Sequence, residues 1–176
     1  MNSDLSVRAA AIRLVLLDVD GVLTDARITY DSAGRESKSF HVRDGHRIKL
    51  AARHGVAFGI ITGRRSTVVD QRAAELDIAI VHQGAKEKLP VFEQVLASEG
   101  VTPNQVAYMG DDIVDLPILT RVGLAATPAD AVPEAVEHAH FVSRFPGGRG
   151  AVCELIELIL QAQGKWDAIL QGYLGG

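Results

Sequence analysis

Residues 12–25 read IRLVLLDVDGVLTD. From Leu14 to Leu17 the run is wholly apolar, and Asp18 and Asp20 close it, with Gly21 next and Asp25 further on. An apolar run without alternation suits a strand covered on both faces, as in parallel sheets. A carboxylate at the end of such a strand loses hydration, which costs free energy unless something pairs with it. Two of them, spaced two residues apart, call for a common partner.

Outward from this stretch the pattern repeats. Apolar runs at 12–19, 57–61, 78–82, 106–109 and 124–126, with a short one at 141–142, read as strands. Helical patterns lie between and after them, at about 45–54, 66–76, 86–99, 113–122, 132–138 and 151–163. Ser66 is placed as an N-cap and Pro133 falls within a first turn. Alternating strand and helix predicts an α/β fold, a doubly wound, Rossmann-like parallel sheet with right-handed crossovers and helices on both faces. In such sheets ligands bind beyond the carboxyl ends of the strands. One segment breaks the rhythm. ARITYDSAGRESKSFHV, within about 26–42, reads as a β-hairpin around Ser32-Ala33-Gly34. It is too short for a cap domain and should project over the carboxyl edge. The tail GKWDAILQGYLGG, 164–176, reads either as a last amphipathic turn packed on its own domain or as a segment docked on a neighbouring subunit. The whole chain, 1–176, is expected to form one domain.

Composition narrows the functional classes. The net charge is −4 and no basic run stands out, which argues against nucleic acid as a partner. Aromatic residues make up 5%, too few for a base-stacking platform. The single Cys, Cys153, sits in a helical pattern and reads as a small packed hydrophobe. The start MNSDLSVRAAAIRL lacks the apolar core of a signal peptide, and the apolar runs are too short to span a bilayer, so the expectation is a soluble cytoplasmic protein with no membrane partner.

The strand ends carry the chemistry. Asp18, Asp20 and Gly21 follow the first strand; Thr62, Gly63, Arg64 and Arg65 the second; Gly84, Lys86 and Lys88 the third; Gly110, Asp111, Asp112 and Asp115 the fourth. In a doubly wound sheet these converge. Clustered carboxylates cannot all stay ionised without a cation. Oxygen-only ligands at a partly open site suit magnesium, and no His or Cys stands here for zinc. His138 and His140 are spaced like a metal pair but lack a third ligand and read as surface histidines. Lysine and a threonine hydroxyl beside magnesium make a site for a phosphoryl group. An Asp can attack phosphorus, and a second carboxyl group two residues on can protonate the leaving oxygen and then deprotonate water. Read alone, D-x-D-G is a turn, G-D-D a helix start and T-G-R uninformative. These three signals and the lysines after the third strand, in order and each after an apolar strand, are not explained by turns.

DVDGVLTD, ITGR, a Lys after the third strand and GDDIVD resemble the four motifs of the haloacid dehalogenase-like superfamily of phosphotransferases, over nearly the whole chain. The resemblance implies that Asp18 is the nucleophile and Asp20 the general acid/base. Asp18, the backbone carbonyl of Asp20 and Asp111 would hold Mg2+, with Asp112 and Asp115 as supporting carboxylates. Thr62 and Gly63 would bind the phosphoryl group. For the lysine, KEK offers Lys86 and Lys88, and the family's spacing after QG favours Lys88. The hairpin in place of a cap, with VRDG, GDDIVDLP, GGRGAV and ELILQAQGK, resembles a capless branch acting on 3-deoxy-D-manno-octulosonate 8-phosphate in lipopolysaccharide biosynthesis. Members of that branch resembling this chain are homotetramers in which a neighbour covers the active site. Arg64 after T-G fits that substrate, whereas enzymes for nine-carbon sialic-type acid 9-phosphates, the alternative, tend to carry Glu there. A guanidinium suits a sugar carboxylate. Arg43 and Arg149 are further substrate-binding candidates. Where the branch has a small residue and Gly before IKL, this chain has His46-Arg47. Intact Asp18, Asp20, Asp111 and Lys88 argue against a non-catalytic partner domain.

Overall fold

In the computed structural model, which describes residues 3–175, there are eight α-helices and eight strands, and the six strands of the main sheet fall where the apolar runs predict. Helix α1 (Ser3–Ala10) leads into β1 (Leu14–Leu17). The hairpin strands β2 (Thr29–Tyr30) and β3 (Glu36–Ser37) come next, then α2 (Val42–Arg53). There follow β4 (Ala57–Thr62), α3 (Thr67–Glu75), β5 (Ile80–Gln83), α4 (Lys88–Glu99) and β6 (Val106–Met109). The chain continues through α5 (Leu116–Leu119), β7 (Leu124–Thr127), α6 (Pro133–Glu137), β8 (Phe141–Val142), α7 (Ala151–Ala162) and α8 (Trp166–Leu174).

Six strands form one parallel sheet in the order β5-β4-β1-β6-β7-β8. Strand β1 is flanked by β4 and β6: the chain runs outward through β4 and β5, then crosses back to β6 on the other side of β1. That reversal opens a crevice at the carboxyl end of β1, where doubly wound sheets bind ligands. Both faces are covered. On β1, Val15 and Leu17 enter one apolar core and Leu14 and Leu16 the other; on β6, Ala107 and Met109 oppose Val106 and Tyr108 in the same way. This two-faced burial is why the runs show no polar alternation.

Helix α7 packs along α2 and α1, and eight of its residues are buried. Asp44 of VRDG joins the two larger helices: its Oδ1 accepts a hydrogen bond from Cys153 N at 2.8 Å, capping the start of α7. Cys153 is buried, and burial and the nearby Glu157 push its thiol up to about 12, so it is an inert core group.

Several boundaries differ from the sequence reading. Helix α1 was not expected; its Asp4–Arg8 pair at 2.8 Å and buried Ala9 fit a short surface helix. The helix expected at 113–122 is a 3-10 turn, Ile113–Asp115, followed by the single turn α5. Asp112 accepts from Ile113 N and Asp115 turns back onto the Asp112 N–H, a capping arrangement that tightens this start. The tail forms helix α8 on its own chain. Ile169 is buried in the core, Arg47 lies over the Trp166 ring at 5.1 Å, and Tyr173 Oη is 3.2 Å from His46 Nε2. His46 and Arg47 thus both face the tail. Leu170, Tyr173 and Leu174 remain exposed.

Candidate active site

The carboxyl ends of β1, β4 and β6 and the start of α4 surround a cavity of about 470 Å³. Asp18, Asp20, Thr62, Gly63, Arg64, Lys86, Lys88, Asp111 and Asp112 all line it, as the strand-end pattern predicts. Asp18 follows β1 directly and is buried; its N–H donates to Met109 O at 3.0 Å and its Oδ1 accepts from Val19 N at 2.7 Å. Lys88, the first residue of α4, is buried, with Nζ 2.9 Å from Asp18 Oδ2 and 2.6 Å from Asp115 Oδ1. Lys86 is exposed at the rim, so the geometry selects Lys88 as the cation within the cluster.

Asp115 is fully buried and saturated. Its Oδ1 accepts from Lys88 and from Tyr108 Oη at 2.5 Å, while Oδ2 accepts from Asp111 N at 3.0 Å and Asp112 N at 3.2 Å. It therefore shapes the loop that carries Asp111. Tyr108 was not legible as part of the site, because a mid-strand aromatic reads as core. The Asp112 side chain turns aside to cap Ile113.

Among the carboxylates of the cleft, Asp111 is left with an unsatisfied oxygen. Its Oδ1 is buried and has no hydrogen-bond partner among the described residues. Burial first, then Asp18 and Asp115, push its carboxyl up to about 7. Burial likewise raises Asp18, against the lowering effect of Lys88. Burial alone would lower Lys88, but Asp18 and Asp115 outweigh it and hold the ammonium above its ordinary value. Ligand oxygens of Asp18, Asp111 and Asp115 lie within 4.8 Å of one another. An orphaned buried oxygen, hard oxygen donors and excess negative charge fit a small divalent cation. Gly21 makes the approach possible: at φ 95° it holds a turn in which a Cβ would fall 2.0 Å from Asp111 Oδ2. Behind that turn packs the GGRG loop, where a Cβ on Gly147 would lie 1.8 Å from Gly21 O.

Asp20 lies across the mouth. Its Oδ1 is ion-paired with Lys38, and its Oδ2 is 3.5 Å from Arg64 Nε. Arg64 Nη2 donates to Glu36 Oε1 at 2.7 Å and to Tyr30 Oη at 3.4 Å. The hairpin thus folds onto the site through Tyr30, Glu36 and Lys38, none of which the sequence singled out. Arg43 and Arg149 are not brought to this cleft. They line a second cavity of about 290 Å³ with His41, Arg47 and Arg144, beside the start of α7. His138 Nδ1 donates to Glu134 O, and His140 Nδ1 accepts from Ala125 N, so neither faces the carboxylates.

No family model matches the chain. Known proteins resemble it closely. It is 44% identical over 167 residues to 3-deoxy-D-manno-octulosonate 8-phosphate phosphatase KdsC of Escherichia coli (strain K12), covering 95% of this chain and 89% of that one. Among solved structures, the 3-deoxy-D-manno-octulosonate 8-phosphate phosphatase of Moraxella catarrhalis, in complex with magnesium ion, phosphate ion and KDO, superposes with a TM-score of 0.96. It is 35% identical, over 98% of this chain and 99% of that one. A Legionella pneumophila protein described as a HAD superfamily (subfamily III A) hydrolase superposes with a TM-score of 0.93 at 39% identity, over 98% and 95% of the two chains.

Proposed function

Because the chain belongs to the 3-deoxy-D-manno-octulosonate 8-phosphate phosphatase family of the HAD superfamily, phosphoric monoester hydrolases, we propose that it hydrolyses that ester to the free sugar acid and inorganic phosphate. The observation that carries this reading is the meeting of Asp18, Thr62, Lys88 and Asp111 in one cleft beyond the strand ends.

In the proposed reaction a carboxylate oxygen of Asp18 attacks phosphorus and the bond from phosphorus to the sugar oxygen breaks. Asp20 gives its proton to that oxygen, so the sugar leaves as an alcohol and Asp18 carries the phosphoryl group. Asp20, now ionised, takes a proton from water as the water oxygen attacks phosphorus. Inorganic phosphate leaves and both carboxyl groups return to their starting forms. Lys88, held by Asp18 and Asp115, offers fixed positive charge to the phosphoryl oxygens, and Thr62 Oγ1 and the Gly63 N–H are suited to bind them. Asp18, the Asp20 carbonyl and Asp111 would hold magnesium, whose charge would offset the clustered carboxylates and the phosphoryl group. Arg64, over the mouth, suits the sugar carboxylate. Arg43 and Arg149, in their separate cavity, would meet substrate only as part of an assembly.

A homotetramer with a neighbour covering the cleft is part of the same proposal. Exposed Ile28 and Tyr30 on the hairpin support it, as apolar side chains suited to a contact. No described helix is long and apolar enough to cross a membrane, and we place the enzyme in the cytoplasm, in lipopolysaccharide biosynthesis. Two measurements test the chemistry. Asp18→Asn should keep its circular dichroism and lose turnover by more than about a thousandfold; a variant that retains turnover refutes the nucleophile. Excess chelator should stop phosphate release, and full activity in chelator refutes the metal role.

A further inference from the structure

The reaction outlined above makes no use of Lys38. This residue follows β3, on a hairpin whose other side chains are largely exposed, yet its own side chain is 1% exposed. A buried ammonium must be met by anions. Here Nζ is paired directly with Asp20 Oδ1 and lies 3.6 Å from Glu36 Oε1. Thr24 Oγ1 donates to the same Asp20 oxygen at 3.5 Å. The other oxygen, Oδ2, is 3.5 Å from Arg64 Nε, and Arg64 lines the cleft. The two oxygens therefore face different surroundings: Oδ1 is turned to the hairpin and Oδ2 to the cleft.

An untethered aspartate has several staggered side-chain conformers close in energy. A charge-assisted hydrogen bond on one oxygen selects among them and fixes where the other points. Proton transfer requires the two heavy atoms within hydrogen-bond reach, so a carboxyl group aimed elsewhere does not serve. We propose that Lys38 is a positioning residue for the phosphatase reaction, holding Asp20 by Oδ1 so that Oδ2 is presented to the ester oxygen. The assignment rests on the reading of Asp20 as the group that handles the proton. It gives the hairpin a place in the chemistry, since the residue that aims Asp20 is carried on it.

Esters that differ in their need for a proton separate aiming from simple anchoring of the hairpin. A sugar alkoxide leaves only when protonated, whereas 4-nitrophenolate leaves unaided. In Lys38→Ala, turnover of 3-deoxy-D-manno-octulosonate 8-phosphate should fall about tenfold to a hundredfold, with a smaller change in KM. In single turnovers, the ratio of its rate of phosphoryl transfer to that for 4-nitrophenyl phosphate should fall about tenfold, because the later hydrolysis, in which Asp20 also serves, is common to both esters. Lys38→Arg, or methylammonium added to Lys38→Ala, should recover part of the loss on the sugar ester. Unchanged turnover, equal losses on both esters in the single-turnover rate of phosphoryl transfer to Asp18, or a loss confined to KM would overturn the role. Any alkyl phosphate that the unsubstituted enzyme turns over serves as the slow-leaving ester, so a wrong substrate and a wrong role for Lys38 give different results. An unsubstituted enzyme that releases phosphate from no ester with magnesium present would overturn the phosphatase reading, and this assignment with it.

Discussion

Asp111, pushed by burial from 3.8 to about 7, still binds a proton in much of the metal-free protein near neutral pH. A carboxyl group raised in the folded state favours folding below its unfolded value and loses that contribution as pH climbs toward the folded value. The metal-free protein should therefore melt at a lower temperature at about pH 8 than at about pH 5.5, by the share that Asp111 contributes. Magnesium must displace the proton, so its affinity should rise over the same window, and calorimetric titration in buffers of different ionisation heat should show proton release near pH 6.5. Binding without proton release would contradict the assignment of Asp111 as a ligand. Lys88→Met leaves two buried carboxylates without their cation and should cost about 3 kcal/mol of stability in chelator, read from urea melts; a loss below about 1 kcal/mol would mean that the carboxylates are already neutralised otherwise. Legibility at this scale follows position. Asp18, Lys88 and Asp111 stand at strand ends or helix starts, where a charge after an apolar run is anomalous. Tyr108 and Lys38 were hidden, one in a core strand and the other in a hairpin where a charge reads as solvated.

At the scale of elements, the hairpin and the tail carry what the strand–helix rhythm does not. The turn residues gave away the hairpin, but its inward contacts depend on how it folds back. The tail's Trp166 and Ile169 follow a helix stop, and no local pattern says what covers them; helix α8 on α2 and α7 answers that for this chain. Arg47, paired with Glu157 at 2.7 Å and stacked on Trp166, accounts for a residue that departed from the branch's pattern. Ile169→Ala should cost about 2–4 kcal/mol, measured by thermal or urea denaturation, because the side chain is nearly dry in a packed core. A change under about 0.5 kcal/mol would mean that the helix does not dock in solution. The reading of 113–122 as one helix failed because apolar spacing is blind to capping: Asp112 and Asp115 fold the start into a tighter turn that brings two N–H groups to Asp115.

At the scale of the molecule, the parallel doubly wound class was legible because unalternating apolar strands need cover on both faces. The strand order was not, since pairing depends on crossover direction. Order decides the site: placing β1 between β4 and β6 brings Asp18, Thr62 and Asp111 to one crevice, though 44 residues separate the first two. The two apolar cores do not involve the cation site, so chelator should abolish turnover while far-ultraviolet circular dichroism stays native; unfolding on chelation would contradict this separation. Phosphate release with magnesium from 3-deoxy-D-manno-octulosonate 8-phosphate and from nine-carbon sugar acid 9-phosphates, at equal enzyme concentration, tests the substrate. A strong preference for the octulosonate ester, weakened when Arg64 is replaced, is expected. Release only from the nine-carbon esters would contradict the substrate and the role of Arg64 while sparing the mechanism.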